Sequence, residues 1–351
     1  MESEIFIIGG GLAGWRAAEA AVRGGASVTL AANGPGNTPD IHALNCPVLP
    51  EDSVECFIED TLSSGKYQND RALVETMCRE SLALNDEFQW DGTLIRPVGT
   101  SVPRCVSIRH AIGAIAVAGI KERLKGKVTV EKRTVTVEEL LALRRAQPEV
   151  KIIIATGGWC GKYAFSDNPP YLKGDGLEMA RALGGALRDV DDAHVQYEPT
   201  VRIEGPRRGI PVITTLLYEG AKLLTPEGKE FLEDARLNKD ELSRAIFGIG
   251  GTAIYDLREV PEEKILECKM DPEERVIKVS PAPHSSMGGI VIDTKCHVLD
   301  ASGKIVPGVF ACGEVTAGVH GLNRLGGNGG TAAMVFGTIA GREAALELRK
   351  L

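Results

Sequence analysis

The sequence predicts an α/β fold, an open parallel sheet flanked by helices with a smaller α+β segment inserted into it. Three observations carry this. First, "EIFIIGGGLAGWRAAEAAVRGGASVTLAA" runs from an apolar strand through a glycine turn into an alanine-rich helix and a second strand, a βαβ opening at the start of the chain. Second, "VKIIIATGG" and "VPGVFACGE" repeat a continuous apolar run closed by glycine, the pattern of a strand buried on both faces. Third, from His194 to about Val279 the chain becomes polar and irregular, with the proline-bearing "EPTVRIEGPRRGIP" and "TPEGKEFLED", before the strand-and-glycine pattern resumes. The expected organisation is therefore residues 1–193, an inserted segment 194–279, and residues 280–351.

Composition narrows the function. At 351 residues the chain can bury a core large enough for an enzyme. A net charge of −8 and a pI near 5.5 argue against nucleic acid or an anionic membrane as the main partner. The run "AIGAIAVAGI", Ala111 to Ile120, is half a membrane span and reads as a buried helix. With no signal-type start ahead of "IFIIGGG", the expected location is the cytoplasm. None of the eight cysteines forms a C-x-x-C pair, so they read as buried free thiols, and no metal site is expected.

Taken in order, Gly9-x-Gly11-x-x-Gly14 sits between the first strand and the first helix, the context that makes this spacing a Rossmann-like dinucleotide fingerprint. Its glycines let the backbone approach a pyrophosphate, which rests on the helix N-terminus. The second strand ends in "LAANGPGN", where an acid would ordinarily hold the adenosine ribose and Asn33 is the nearest substitute. From Asp52 to Leu124 the pattern is mostly helical, and "KVTVEKRTVTVEEL" reads as a strand pair before a helix. "VKIIIATGG" ends in Thr156, Gly157 and Gly158, which line the chain's return past the cofactor, and "KGDGLEMARALGGAL" starts a helix at Gly174-Asp175-Gly176. "PHSSMGGIVID" and the segment from "VPGVFACGEV" onward give strands, a glycine loop and a last helix.

The ordered set "GGGLAG", "ATGG", "GDG", "EPT", "LSRA", "PHSSMGGI", "GVFACGE" and "HGLNRLGGN" resembles the flavoprotein family of succinate dehydrogenase, fumarate reductase and L-aspartate oxidase over nearly the whole chain. The resemblance implies a Rossmann-like FAD-binding domain in two parts with a capping domain inserted between them. It places FAD against Gly9, Gly11 and Gly14 at the pyrophosphate, Asp175 and Glu314 at ribityl or adenosine hydroxyls, and Gly313 and Asn328 in matching motifs. Thr38 stands where the membrane-complex members carry a histidine linked to the flavin, so non-covalent FAD is expected.

Other departures concern the substrate. Glu198 in "YEPT" replaces a substrate-binding histidine; facing an anion it is repulsive unless protonated, or unless the ligand carries an amine or hydroxyl there. Glu219 in "TTLLYEGAKLL" remains from a proton relay whose arginine is missing. By the resemblance, Arg244 in "DELSRAIF", His284 in "PHSSMGGI" and Arg324 in "HGLNRLGGN" surround one small acid. An arginine fork grips a carboxylate by two parallel charge-assisted hydrogen bonds, and the glycines around Arg324 bring its loop close under the flavin. Arg244 stabilises transition-state charge. The implied function is hydride transfer between flavin N5 and a small carboxylate, of the succinate/fumarate type. Aspartate-type amino-acid oxidation and a flavin-carrying electron-transfer subunit with a degenerate site are the alternatives, and an electron-transfer partner protein fits either enzyme reading.

Overall fold

Residues 4–87, 94–108, 111–232, 234 and 237–349 are described by the structure, a computed structural model. A six-stranded sheet runs in the order His297–Leu299, Ile305–Ala311, Lys151–Ile154, Ile5–Ile8, Val28–Ala32, Val128–Lys132. All its pairings are parallel except that of the first two strands. Ile5, Ile7, Ile152, Ile153 and Ile154 have no exposed surface, as expected of strands covered on both faces.

The first helix, Leu12–Arg23, and the last, Asn328–Leu348, lie against each other across this core. Their backbones touch because Gly337 and Gly341 stand at the crossing: a Cβ on Gly341 would lie 2.1 Å from the Ala17 carbonyl oxygen, and one on Gly337 2.7 Å from that of Ala13. The "AIGAIAVAGI" run forms helix Ile112–Arg123, burying Ile112, Ala116, Val117 and Ile120 but leaving Ile115 exposed.

A second apolar cluster gathers Val212, Leu223, Leu242, Ile246, Tyr255, Ile265 and Val279. It packs on a four-stranded antiparallel sheet, in the order Lys222–Leu224, Ala253–Asp256, Val276–Ser286, Val195–Arg202. The strand Val276–Ser286 is long enough to serve this sheet at one end and to carry His284 toward the nucleotide-binding half at the other.

One expected element changes. "KVTVEKRTVTVEEL" contains a single strand, Val128–Lys132, and then a helix, Val137–Ala146, not a strand pair. Thr136 caps that helix: its hydroxyl accepts from the Glu139 N–H at 3.2 Å while the Glu139 carboxylate accepts from the Thr136 N–H at 2.8 Å. This reciprocal capping box fixes the helix start two residues after the alternating pattern still reads as strand.

Candidate active site

A cavity of about 880 Å³ extends from the glycine turn after the first strand to the ends of Val195–Arg202 and Val276–Ser286. Its volume lies within the roughly 300–1,000 Å³ of small-molecule and cofactor pockets. At one end the backbone makes the room. Gly9 has φ +125°, and a Cβ there would lie 2.1 Å from the Ala155 carbonyl oxygen, so only glycine lets the turn pass under the neighbouring strand end. Gly11 is the N-cap of Leu12–Arg23 and has no side-chain cap, so the helix start is open to an anion. Thr38 is buried beside it, and its hydroxyl accepts the Leu12 N–H at 2.8 Å.

Of the residues expected at the cofactor, Gly9, Gly11, Asn33, Thr38, Thr156, Gly157, Asp175, Gly313 and Glu314 line this cavity. Three expected there sit behind it. Gly14 lets the helix approach the first turn, since a Cβ would meet the Gly9 carbonyl oxygen at 2.0 Å. Gly158 lies against Ser286 and Glu314, with 2.2 Å between its notional Cβ and the Ser286 hydroxyl. Asn328 is fully buried, donates to Thr61 Oγ1 at 3.0 Å and accepts from Asn45 Nδ2 at 2.7 Å, so it anchors the last helix. The donor set fits a flavin dinucleotide: a glycine cradle at a helix start where Thr38 takes the Leu12 N–H, and lining residues with buried polar atoms lacking protein partners, Asn37 Oδ1 and Thr156 Oγ1 among them. His42 also lines the cavity, near Thr38.

At the other end the side chains do the work. Arg324 Nη2 lies 3.0 Å from His284 Nε2, and His284 Nδ1 lies 2.6 Å from Asp167 Oδ2. A carboxylate can only accept and a guanidinium can only donate, so both contacts hold together when His284 is the neutral tautomer with its proton on Nδ1. Asn168 braces the pair, its Nδ2 donating to Asp167 Oδ1 and to the His284 carbonyl, each at 2.7 Å. Burial alone would raise the Asp167 carboxyl, but the hydrogen bonds from His284 and Asn168 and the charge of Lys239 outweigh it and hold it below the usual range. Gln196 fixes the loop backbone by donating to the Arg324 carbonyl at 2.9 Å.

Burial lowers the Arg324 guanidinium from its ordinary value, opposed by the charges of Glu314, Glu198 and Asp167, and its Nε has no protein partner. The neighbouring His320 is buried as well, and desolvation with the nearby Arg324 charge pushes it down to about 3, so it stays neutral. Glu314 accepts from the Ser286 N–H at 3.0 Å, yet burial raises its carboxyl.

Glu198, 4% exposed, lines the same end and is ion-paired to Lys239 at the start of helix Lys239–Gly248. Lys239 was not among the expected residues; Arg244, five positions on, was. Five residues turn a helix by about 140° beyond a full turn, so the two side chains leave opposite sides. Arg244 points to solvent, 62% exposed and paired with Asp240, and does not line the cavity. Glu219 is exposed and away from the cavity too. The structure thus brings together His284, Arg324 and Glu198 of the expected set, with Lys239 beside Glu198 and Arg244 outside the cavity. Asp167, in "FSDNPP", has no sequence signal of its own.

A parallel sheet with a glycine turn leading to an anion-ready helix start, open to a cavity that ends in an arginine–histidine–carboxylate chain, defines a dinucleotide-dependent redox protein. The family model described as an FAD binding domain matches residues 4–135 and 115–329. The chain belongs to that family, among the FAD-dependent flavoproteins of fumarate reductase, succinate dehydrogenase and L-aspartate oxidase type, and is an FAD-dependent oxidoreductase. It is 27% identical to a fumarate reductase (cytochrome) of Shewanella frigidimarina over 449 aligned positions, covering 99% of this chain and 78% of that one. It is 29% identical to an L-aspartate oxidase of Caulobacter vibrioides, covering 97% and 76%. An E. coli quinol fumarate reductase structure superposes with a TM-score of 0.83 at 22% identity, over 99% of this chain and 71% of that chain, which supports the fold. The Shewanella alignment is longer than the 351-residue chain, so that relative carries insertions this chain lacks. Among the described residues no helix is long and apolar enough to cross a membrane.

Proposed function

We propose that this FAD enzyme moves a hydride between the flavin and a carbon beside the carboxylate of a small substrate. The observation that carries the reading is the Asp167–His284–Arg324 chain closing the inner end of the cavity. FAD, when bound, supplies the hydride-donating and hydride-accepting ring. Gly9 and Gly11 would hold its pyrophosphate, with Asp175 and Glu314 at its hydroxyls. Arg324, locked by His284 on one edge and with Nε partnerless, offers its remaining N–H groups to the substrate carboxylate. Asp167 keeps the proton of His284 on Nδ1, so Nε2 stays an acceptor and Arg324 stays oriented. Lys239 brings an ammonium to the cavity wall beside Glu198, and an ammonium releases a proton more readily than a guanidinium. This favours Lys239 over Arg244 as the group that supplies or takes the substrate proton.

Residues 194–279 form, on this reading, a cap that excludes water from the inner end of the cavity, which strengthens every charge interaction there. C–C chemistry beside the carboxylate is the main reading, in keeping with the fumarate reductase relatives; Glu198 at the site favours amino-acid oxidation as the second. Electrons then pass to or from an acceptor, with a partner protein as one source. The test is to titrate the purified FAD-loaded protein with small carboxylates, then follow reoxidation of the reduced flavin by an α,β-unsaturated acid and reduction of the oxidised flavin by amino acids. Absence of any spectral response and of any turnover rules out the proposal.

A further inference from the structure

The inner site carries its own charge balance, and this bears on what it accepts. One nitrogen of His284 and one carboxylate oxygen each from Asp167 and Glu198 lie within 4.8 Å of one another. Lys239 is bound to Glu198, and Arg324 reaches Asp167 through His284. With His284 in the neutral tautomer that its two contacts require, Arg324 and Lys239 face the carboxylates of Asp167, Glu198 and Glu314, the last raised by its burial. Glu198 is 4% exposed, and a buried carboxylate stripped of its partner costs far more than the pair itself contributes. Lys239 is therefore held on Glu198 and is not free to receive a second carboxylate. Arg202 and Arg207, also in the lining, both face Glu274, at 2.9 and 3.7 Å.

We propose that Glu198 restricts the site to carboxylates of at most one net negative charge, monocarboxylates or zwitterions, and disfavours plain dicarboxylates. The single carboxylate takes the free edge of Arg324. A second one meets Glu198 and an ammonium already neutralised, whereas an amide, hydroxyl or ammonium there meets an acceptor. The inference rests on the reading of the cavity as the substrate site, and deepens it by naming the charge class.

The test compares succinate with succinamate, its monoamide, by flavin difference spectra on the FAD-loaded protein. The two have nearly the same shape and differ by one charge. Succinamate should bind about tenfold more tightly or better, the equivalent of about 1.4 kcal/mol. In Glu198→Gln, Lys239 is released, and succinate affinity should rise on the order of tenfold while that for succinamate changes little. Equal affinities in the parent, or an unchanged ratio in the Gln variant, overturn the charge rule and leave the functional reading standing. No response to either ligand in the FAD-loaded parent overturns both. Should the Gln variant fail to retain FAD, Lys239→Gln provides the second arm. There an uncompensated Glu198 should weaken succinate about tenfold more than succinamate, and equal losses overturn the rule.

Discussion

Replacing Arg324 with lysine keeps the charge and removes the fork. In the parent one prong, Nη2, is spent on His284 Nε2 at 3.0 Å, and the carboxylate is left the Nη1 and Nε side. An ammonium in the same place can reach His284 or the substrate but cannot present two parallel donors to one while holding the other. Loss of a buried charge-assisted hydrogen bond costs about 2–5 kcal/mol. At about 1.4 kcal/mol per factor of ten, the variant should lose roughly 30- to 3,000-fold in kcat/KM. FAD content should hardly change, because Gly9, Gly11 and the helix start after them lie at the opposite end of the cavity. The assay pairs FAD stoichiometry with the ligand-induced change in the flavin spectrum. A lysine variant whose spectral response is intact refutes the clamp. One that loses FAD or folds poorly before ligand is added shows instead that Arg324 is a structural partner of His284.

Three further outcomes are expected. FAD should appear in the supernatant after acid precipitation, since the Thr38 hydroxyl is used on the Leu12 N–H and offers no nitrogen nucleophile; flavin fluorescence remaining with the polypeptide on a denaturing gel would point to the nearby His42. Arg244→Ala should change kcat/KM less than about threefold, as a solvent-facing ion pair contributes under about 1 kcal/mol, whereas Lys239→Met should lower it more than tenfold; steady-state kinetics on the two variants decide between them. His297 is held above its ordinary value by its hydrogen bond to Asp293 at 2.9 Å and by Glu347 at 3.0 Å. A raised imidazole stabilises the fold fully below its unfolded value of about 6.5 and loses that contribution as pH rises through the folded one. The stability gap between the parent and His297→Gln, from urea melts, should therefore be larger at pH 6 than at pH 9, and a gap independent of pH contradicts the assignment.

The central strands of the sheet were legible because they are buried on both faces and announce themselves as unbroken apolar runs, whereas the edge strand Val128–Lys132 is largely uncovered and alternates. The glycine turn was legible because steric exclusion at Gly9 leaves a single residue type. Arg324 and His284 stood in long motifs. Lys239 was not visible because a helix's phase relative to a cavity is set by how the helix packs, and "KDELSRAI" offers two cations on different sides of it. Asn328 shows the reverse error: a polar residue in a glycine-rich motif reads as a ligand contact, although here its amide ties the last helix to Asn45 and Thr61. Glu198 was recognised as an anomaly, but its resolution by Lys239, 41 residues away in sequence, requires the fold to bring them together.

The contact between the first and last helices gives synthesis a direction. The cofactor turn from Gly9 to Gly14 leaves the ribosome long before Gly337 and Gly341, so the helix that follows it can at first pack only on its neighbouring strands and on helix Ile112–Arg123, and meets the glycine crossing at Ala13 and Ala17 last. The strand Ile305–Ala311, which completes the sheet beside Lys151–Ile154, comes almost as late. Contacts of such long sequence separation form slowly and only once both ends exist. The nascent chain therefore presents most of its apolar surface before it can close a nucleotide site, and FAD can be captured only once the chain has been made past Gly341. Flavin supply then becomes a factor in how much of the newly made protein survives, because ligand that binds only the folded form draws the chain toward it.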